Sequence, residues 1–478
     1  MSEQHGPGGF DRLRVAVIGA GPAGIYAADA LLKSGQAVSI DIIERLPAPF
    51  GLIRYGVAPD HPRIKGIITA LHKVLSKPDV KFFGNVAYGT DVSLDDLSAM
   101  YDAVIFSTGA NADRPLPVPG VDLRGSHGAA DFVSWYNGHP DAPRSWPLTA
   151  RKVAVVGAGN VALDVARILA KTADELLPTE IPRNVYDGLS ANQATLIHLF
   201  SRRGPVQAKF TPLELWELDG SPNIEVVVDP ADIEYDDASV RLRRESTIVD
   251  QVTGIVEKYA LRDPGERPHR LHLHFFEAPV ALLGDGGAVT SLRTERTEPD
   301  GTGNVRGTGI FTDWDVQAVY RAVGYLSEPV AKVAFDEDSG TIPNVAGRVL
   351  DEDDRPMPGV YVTGWIKRGP VGLIGHTKSD ADETVTCLLD DHANARLPRP
   401  GDVGCRPMHR FLQSRGHRYT TWGDWLRLDA HERALGQLEN RERIKVVDRD
   451  AMLEASGCDS GGSGHACTCE LQAPKMNR

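Results

Sequence analysis

The sequence predicts an α/β protein built on two βαβ units. Three observations predict it: a β-branched strand followed by Gly19, Gly21 and Gly24, a second such strand followed by Gly157, Gly159 and Ala162, and an acid closing the first unit where two arginines close the second. In "RVAVIGAGPAGIYAADALLKSGQAVSIDIIERL" the apolar run Val15 to Ile18 reads as a strand, and a helical stretch and a second strand ending at Glu44 follow. Each glycine has a reason. Gly19 makes the tight turn, Gly21 lets a pyrophosphate approach the backbone, and Gly24 lets helix and strand pack closely, so that the phosphates sit on the helix N-terminus. Glu44, about 20 residues beyond the last glycine, is placed to accept hydrogen bonds from ribose hydroxyls and would repel a 2'-phosphate.

The second unit, "KVAVVGAGNVALDVARILA", has alanine in the third position, which the fingerprint allows. Its next strand, "ATLIHLFSRRG", ends in Arg202 and Arg203 instead of an acid. Guanidinium forks clamp a 2'-phosphate, so this unit reads as the NADP(H) site and the first as an FAD or NAD site. The spacing is longer than in the simple fingerprint, and about half of the excess is "LPTEIPRNVYDGLSANQ".

A third stretch, "GWIKRGPVGLIGHTK", follows the short strand "VYVTGW" and precedes the helical run "SDADETVTCLLDDHANA". Thr377 or Ser379 is expected to cap that helix, with Asp380, Asp382 and Glu383 in its first turns. Amides of Gly372, Leu373 and Ile374 would then converge at a helix N-terminus and stabilise the negative charge of a reduced flavin, with Trp365 against the ring system. An acid in one half and an arginine pair in the other suit a chain that passes electrons from NADPH to a flavin.

Composition narrows the class. At 478 residues the chain is long enough for two or three domains, and 41% hydrophobic with 24% charged content is that of an ordinary folded protein. A net charge of -13 argues against non-specific nucleic-acid or anionic-membrane binding. No apolar run approaches the roughly 18 residues of a spanning helix, and a cytoplasmic setting is expected. Five cysteines form no secreted disulfide framework and no C-x-x-C, which sets aside a dithiol-dependent reductase. The ending "GCDSGGSGHACTCELQAPKMNR" carries Cys458, His465, Cys467 and Cys469 in a spacing unlike the usual zinc patterns; residues from about 456 onward are expected to be a disordered tail, and no metal site is expected.

Together "GLIRYGVAPDHPRIK", "GNVALDVARIL", "RRGPVQAKFTPLELWEL", "DEDSGTIPN" and "GWIKRGPVGLIGHTKSDADETV" resemble the adrenodoxin reductase family of ferredoxin-NADP reductases, from about residue 14 to about 450. The resemblance implies two Rossmann-like three-layer domains, an NADP domain of 110–324 inserted into a discontinuous FAD domain of 1–109 and 325–478. It implies FAD contacts at Ala23, Glu44, Leu52, Val86, Trp365 and Gly372 to Ile374. For NADP it implies Arg114, Asn160, Val161, Ala162, Arg202, Arg203 and Glu214, with Gly372 near the nicotinamide; Arg114 and Glu214 rest on the resemblance alone. It also implies hydride transfer from NADPH to flavin N5, a matter of positioning, followed by single-electron transfer to a separate ferredoxin-type iron-sulfur protein. His61 in "APDHP", Asp164 in "VALDVA" and Glu217 in "ELWEL" are candidates for the catalytic polar network. An acidic ferredoxin would need a basic patch, and Arg241, Arg243 and Arg244 in "VRLRRES" are the candidates. A non-enzymatic sensor that binds FAD and NADP(H), or another NADPH-dependent flavin oxidoreductase, remains an alternative; reduction by NADPH separates the sensor from an enzyme.

Overall fold

The computed structural model describes residues 12–263, 265–370, 374–398 and 407–458. The chain opens with β1 (Leu13–Ile18), the helix Pro22–Lys33, β2 (Val38–Glu44), β3 (Val80–Gly84) and β4 (Ala103–Phe106). It crosses through β5 (Ala112–Asp113) into a second body that contains β6 (Ser126–Gly128), β7 (Lys152–Val156), β8 (Leu196–Phe200), β9 (Ile224–Val228) and β10 (His269–His274). An antiparallel excursion, β11 (Glu277–Asp285), β12 (Ala288–Pro299) and β13 (Val305–Asp315), precedes β14 (Ala318–Arg321). The chain then returns through β15 (Tyr325–Leu326) to β16 (Asn344–Val345), β17 (Arg348–Leu350) and β18 (Pro356–Val362).

Two main sheets result. The first has the order β16-β17-β18-β4-β1-β2-β3, parallel from β18 to β3. The second has the order β6-β14-β7-β8-β10-β9 and is parallel throughout. The near-continuous apolar strands "VAVI" and "VAVV" follow from this, since a parallel strand is covered by helices on both faces. Because the first sheet is completed only by strands after residue 344, the second body is an insertion within the first. The two crossings meet: β5 pairs antiparallel with β15, Asp113 opposite Tyr325. The fold is therefore α/β, with two Rossmann-like units and one set inside the other.

The helix Pro22–Lys33 packs against the long helix Ile374–Ala393, which brings the late part of the sequence over the first glycine turn. The extra residues of the second unit form two short helices, Ala173–Leu176 and Arg183–Ser190. Among the described residues no helix is long and apolar enough to cross a membrane.

Candidate active site

The first glycine turn has the geometry its residues demand. Gly19 has φ of 106°, and a Cβ there would stand 2.6 Å from the Ser107 carbonyl oxygen. A Cβ on Gly24 would stand 2.2 Å from the Gly19 oxygen, so helix and strand touch through bare backbone. Gly21 is different: nothing lies within 4 Å of where its Cβ would be, which leaves open space at the N-terminus of the helix Pro22–Lys33. Glu44 is buried at the end of β2. Its Oε2 accepts from the Ala20 amide at 2.8 Å and its Oε1 from the Leu46 amide at 3.1 Å, and burial outweighs these bonds to raise its pKa. Phe50 and Gly51, at φ of 83° and 48°, turn the chain so that Gly51 backs onto Gly21 and Leu52 opens the next short helix. Val86 donates its amide to the Glu44 carbonyl at 2.9 Å and buries its side chain in the core.

The loop beyond β18 closes over this turn. Gly364, at φ of 78°, stands where a Cβ would meet the Ala23 methyl at 2.6 Å. Half-buried Trp365 stacks on Tyr325, ring centroids 6.5 Å apart. Here the expected helix start is corrected. The helix begins at Ile374, so Thr377 and Ser379 lie inside it and not at its N-cap position. Asp380 instead reaches back, accepting the Gly364 amide and pairing with Lys367 at 2.8 Å. The acid serves the neighbouring turn because the two segments pack side by side. Gly372 and Leu373 lie outside the described residues, and of Ile374 only the backbone is described.

In the second unit Gly157 has φ of 151°, and a Cβ there would collide with the Ala322 oxygen at 2.2 Å, while Gly159 again faces open space. Ala162 is fully buried and Val161 half-buried in the first turn of the helix Asn160–Ala170. Asn160 Oδ1 accepts the Thr211 amide at 2.9 Å, and the Lys209 amide donates to the Ala158 carbonyl at 2.7 Å. The segment after the arginines is thereby tied back onto the glycine turn. Arg202 is exposed and Arg203 half-buried just past β8, and among the described residues neither guanidinium has an acidic partner. Arg114 donates its amide to the Gly324 carbonyl at 2.8 Å and lines a cavity of about 560 Å³ with Asp113, Asp131, Arg321 and Glu328 at the crossing between the units.

The three catalytic candidates, distant in sequence, come together. His61 Nε2 lies 2.9 Å from Asp164 Oδ1, and its Nδ1 lies 2.8 Å from Glu217 Oε2. Burial disfavours the charged ring, but hydrogen bonds to Asp164 and Glu217 outweigh it and lift the His61 pKa to about 9, with Arg167 opposing them. Glu214, in the first turn of the helix Pro212–Asp219, is buried with Oε2 unpartnered, and burial raises its pKa. An orphaned buried carboxyl oxygen facing a shared cluster suits a ligand donor. Sequence reasoning missed Arg167, which reaches the same histidine, and Asp60 and Lys171 behind it. The signal was present: Asp164 and Arg167 are two charges on one face of an otherwise apolar helix.

Two expectations elsewhere change. Arg243 is engaged by Asp250 at 3.1 Å and by Glu257, and stacks on Tyr235, leaving Arg241 and Arg244 as exposed cations of that helix. The start of the expected disordered tail is ordered: Ser456 is buried and donates to the Leu453 carbonyl at 2.7 Å, and Cys458 Sγ lies 3.0 Å from the Tyr419 carbonyl. His465, Cys467 and Cys469 lie outside the described residues. Among the described residues no group of three or more His, Cys, Asp or Glu could hold a metal ion.

Two Rossmann-like units, with glycine turns open to ligand and a charged cluster between them, define a pyridine-nucleotide oxidoreductase fold. In keeping with this, a family model described as pyridine nucleotide-disulphide oxidoreductase matches residues 13–211. The chain is 39% identical to the NADPH-ferredoxin reductase FprA of Mycobacterium tuberculosis, covering 92% of this chain and 98% of the relative. It is 37% identical to the human mitochondrial NADPH:adrenodoxin oxidoreductase, covering 93% and 92% respectively. The solved structure of Mycobacterium tuberculosis FprA in complex with NADPH superimposes with a TM-score of 0.84 at 37% identity, over 93% of this chain and 99% of that one. The chain belongs to the adrenodoxin reductase family.

Proposed function

We propose that this chain carries reducing equivalents from NADPH, through FAD, to a ferredoxin-type iron-sulfur protein. The observation that carries the reading is the opposite chemistry of two like turns: a buried carboxylate at the first and two cations without acidic partners at the second. The relatives named for NADPH and for ferredoxin or adrenodoxin support it. The first turn fits FAD, because Gly21 faces open space and Glu44 is fixed beside it. Gly19, Gly21, Ala23, Gly24, Glu44, Leu52, Val86, Trp365 and the 372–374 backbone would hold FAD. Arg114, Gly157, Gly159 to Ala162, Arg202, Arg203 and Glu214 would hold NADP(H). When bound, FAD accepts two electrons together and releases them singly. The boundaries 1–109 with 325–478, and 110–324, follow as proposed domains.

His61, Asp164 and Glu217 would orient and hold protons at the meeting of the units. Arg241 and Arg244 would offer cations to an acidic ferredoxin. The free thiols of Cys387 and Cys458 fit the reducing cytoplasm proposed for the chain.

The test is spectroscopic. Purified protein should be yellow, lose its visible flavin absorbance within the mixing time on adding NADPH, and regain it on adding oxidised ferredoxin. A colourless chain that cannot be reconstituted with FAD would overturn the reading, and a yellow one that NADPH leaves unbleached would favour the sensor.

A further inference from the structure

At the meeting of the two units three charged atoms form a triangle. His61 Nε2 is 2.9 Å from Asp164 Oδ1, Arg167 Nη2 is 2.8 Å from that same oxygen, and Arg167 Nη2 is 2.7 Å from His61 Nε2. The far ring nitrogen, Nδ1, is 2.8 Å from Glu217 Oε2. Arg167 is itself fixed and fully buried: its Nε and Nη2 donate to the two oxygens of Asp60, each at 2.9 Å, and Lys171 holds Asp60 from the other side at 2.8 Å.

Counting hydrogens gives the triangle a use. In the doubly protonated ring, Nε2–H donates to Asp164 Oδ1, an oxygen that is also ion-paired with Arg167 Nη2, while the Nδ1 side faces Glu217 Oε2. When Nε2 releases its proton, the electron pair of the N–H bond remains on nitrogen and the proton passes by way of Asp164 Oδ1 to solvent water, which restores the carboxylate. The Arg167 Nη2–H, already within reach, then donates to the bared nitrogen. Neither state needs the ring to turn, and neither leaves Nε2 without a partner.

We propose that Arg167 is a positioning residue that lets His61 release and regain its Nε2 proton in one fixed ring orientation, by becoming that nitrogen's hydrogen-bond donor when the proton leaves. The purpose rests on the electron-transfer reading above, since a proton relay at the cofactor junction is useful there; the contact does not. The charged groups facing the ring are Asp164 and Arg167 from one helix and Glu214 and Glu217 from another, with Asp60 and Lys171 behind Arg167. The carboxylates favour the charged ring, whereas burial and Arg167 disfavour it.

The experiment uses ring-15N-histidine holoenzyme, with His61→Gln to assign the resonance, and the variants Arg167→Lys, Arg167→Met and Asp60→Asn/Arg167→Met. The double variant removes the acid that the single Met variant would strand. The His61 titration midpoint should rise by about one unit in both Met variants, roughly a tenfold gain in proton affinity. Above the midpoint the neutral ring should lose its uniform Nδ1–H tautomer, and the Lys variant should recover part of both effects. The pH profile of NADPH-driven kcat should move alkaline with the KM for NADPH unchanged. An unchanged midpoint and tautomer in the folded double variant would overturn the proposal. Failure of the unmodified protein to be reduced by NADPH would instead overturn the electron-transfer reading and leave the titration result standing.

Discussion

Arg202 and Arg203 carry the distinction between the two nucleotide sites at the scale of single residues. Cations without an acidic partner are open to an anionic ligand, and their place just past β8 is where the next strand of a Rossmann unit meets the adenosine ribose. Replacing both with alanine should raise the KM for NADPH at least about tenfold, since a charge-assisted bond contributes about 1.5–3 kcal/mol, and should leave the KM for NADH nearly unchanged. Steady-state kinetics with both nucleotides decides it; equal effects would refute the 2'-phosphate assignment. Gly24 permits a second test. Gly24→Ala would drive a methyl into the Gly19 carbonyl oxygen, so the protein should lose about 1–3 kcal/mol in denaturant titration and bind FAD poorly. Gly19, Gly24, Glu44 and the arginines were legible in sequence because each answers to a local rule of backbone or charge. Arg167 was not, because its meaning depends on Asp60 and His61, which arrive from the other unit.

At the scale of elements, β8 and β10 lie side by side and bring three histidines together under Trp314. His198 Nδ1 lies 2.8 Å from His274 Nε2, and the His274 ring centroid lies 4.4 Å from that of Trp314. Burial depresses all three pKa values, His198 to about 4, with neighbouring positive charge adding to the effect. A histidine whose folded pKa is depressed is proton-poor relative to the unfolded chain, so its contribution to stability is full above about pH 6.5 and is lost as pH falls from there towards 4. Urea midpoints should therefore decline below about pH 6.5. His198→Asn, which cannot charge, should flatten part of that decline; an unaltered slope would show that the histidine pair does not govern it. The strand pattern "LIHLF" announced β8, but nothing in it announced a histidine partner from β10. The start of the helix Ile374–Ala393 was misjudged for a related reason. Thr377, Ser379 and Asp380 look like a capping run, yet packing against the Gly364 turn extends the helix earlier and gives Asp380 another amide to hold.

For the whole molecule, the relation between the two units depends on a buried ionic centre assembled from three stretches of chain. Glu180, carried by the stretch that lengthens the second unit, pairs with Lys65 of the first, with Lys445 near the C-terminal end at 2.7 Å, and with Arg443. Lys445 also donates to the Arg54 carbonyl at 2.7 Å and the Asn137 carbonyl at 3.1 Å. Burial opposes ionisation of Glu180, but Lys445, Lys65 and Arg443 prevail and hold its pKa well below the usual carboxylate range. Burial pushes the Lys445 pKa well below that of a free lysine and Glu180 opposes this, so Glu180→Gln would leave Lys65 and Arg443 without this acid and drive Lys445 towards the neutral amine. The change should cost about 3 kcal/mol, read as a lower urea midpoint, and a loss under about 1 kcal/mol would mean the centre does not hold the units together. The sequence by itself determined the two βαβ units, their order, and which carries the acid and which the arginines, because strand periodicity, glycine turns and terminal charges are set by neighbours along the chain. Only the tertiary structure decided that His61, Asp164, Arg167 and Glu217 share one cluster, and that an apparent insertion supplies the anion between the units. The contacts His61–Asp164 and Lys65–Glu180 join residues more than a hundred positions apart, and in low dielectric their strength is set by distance and burial, quantities that no local pattern encodes.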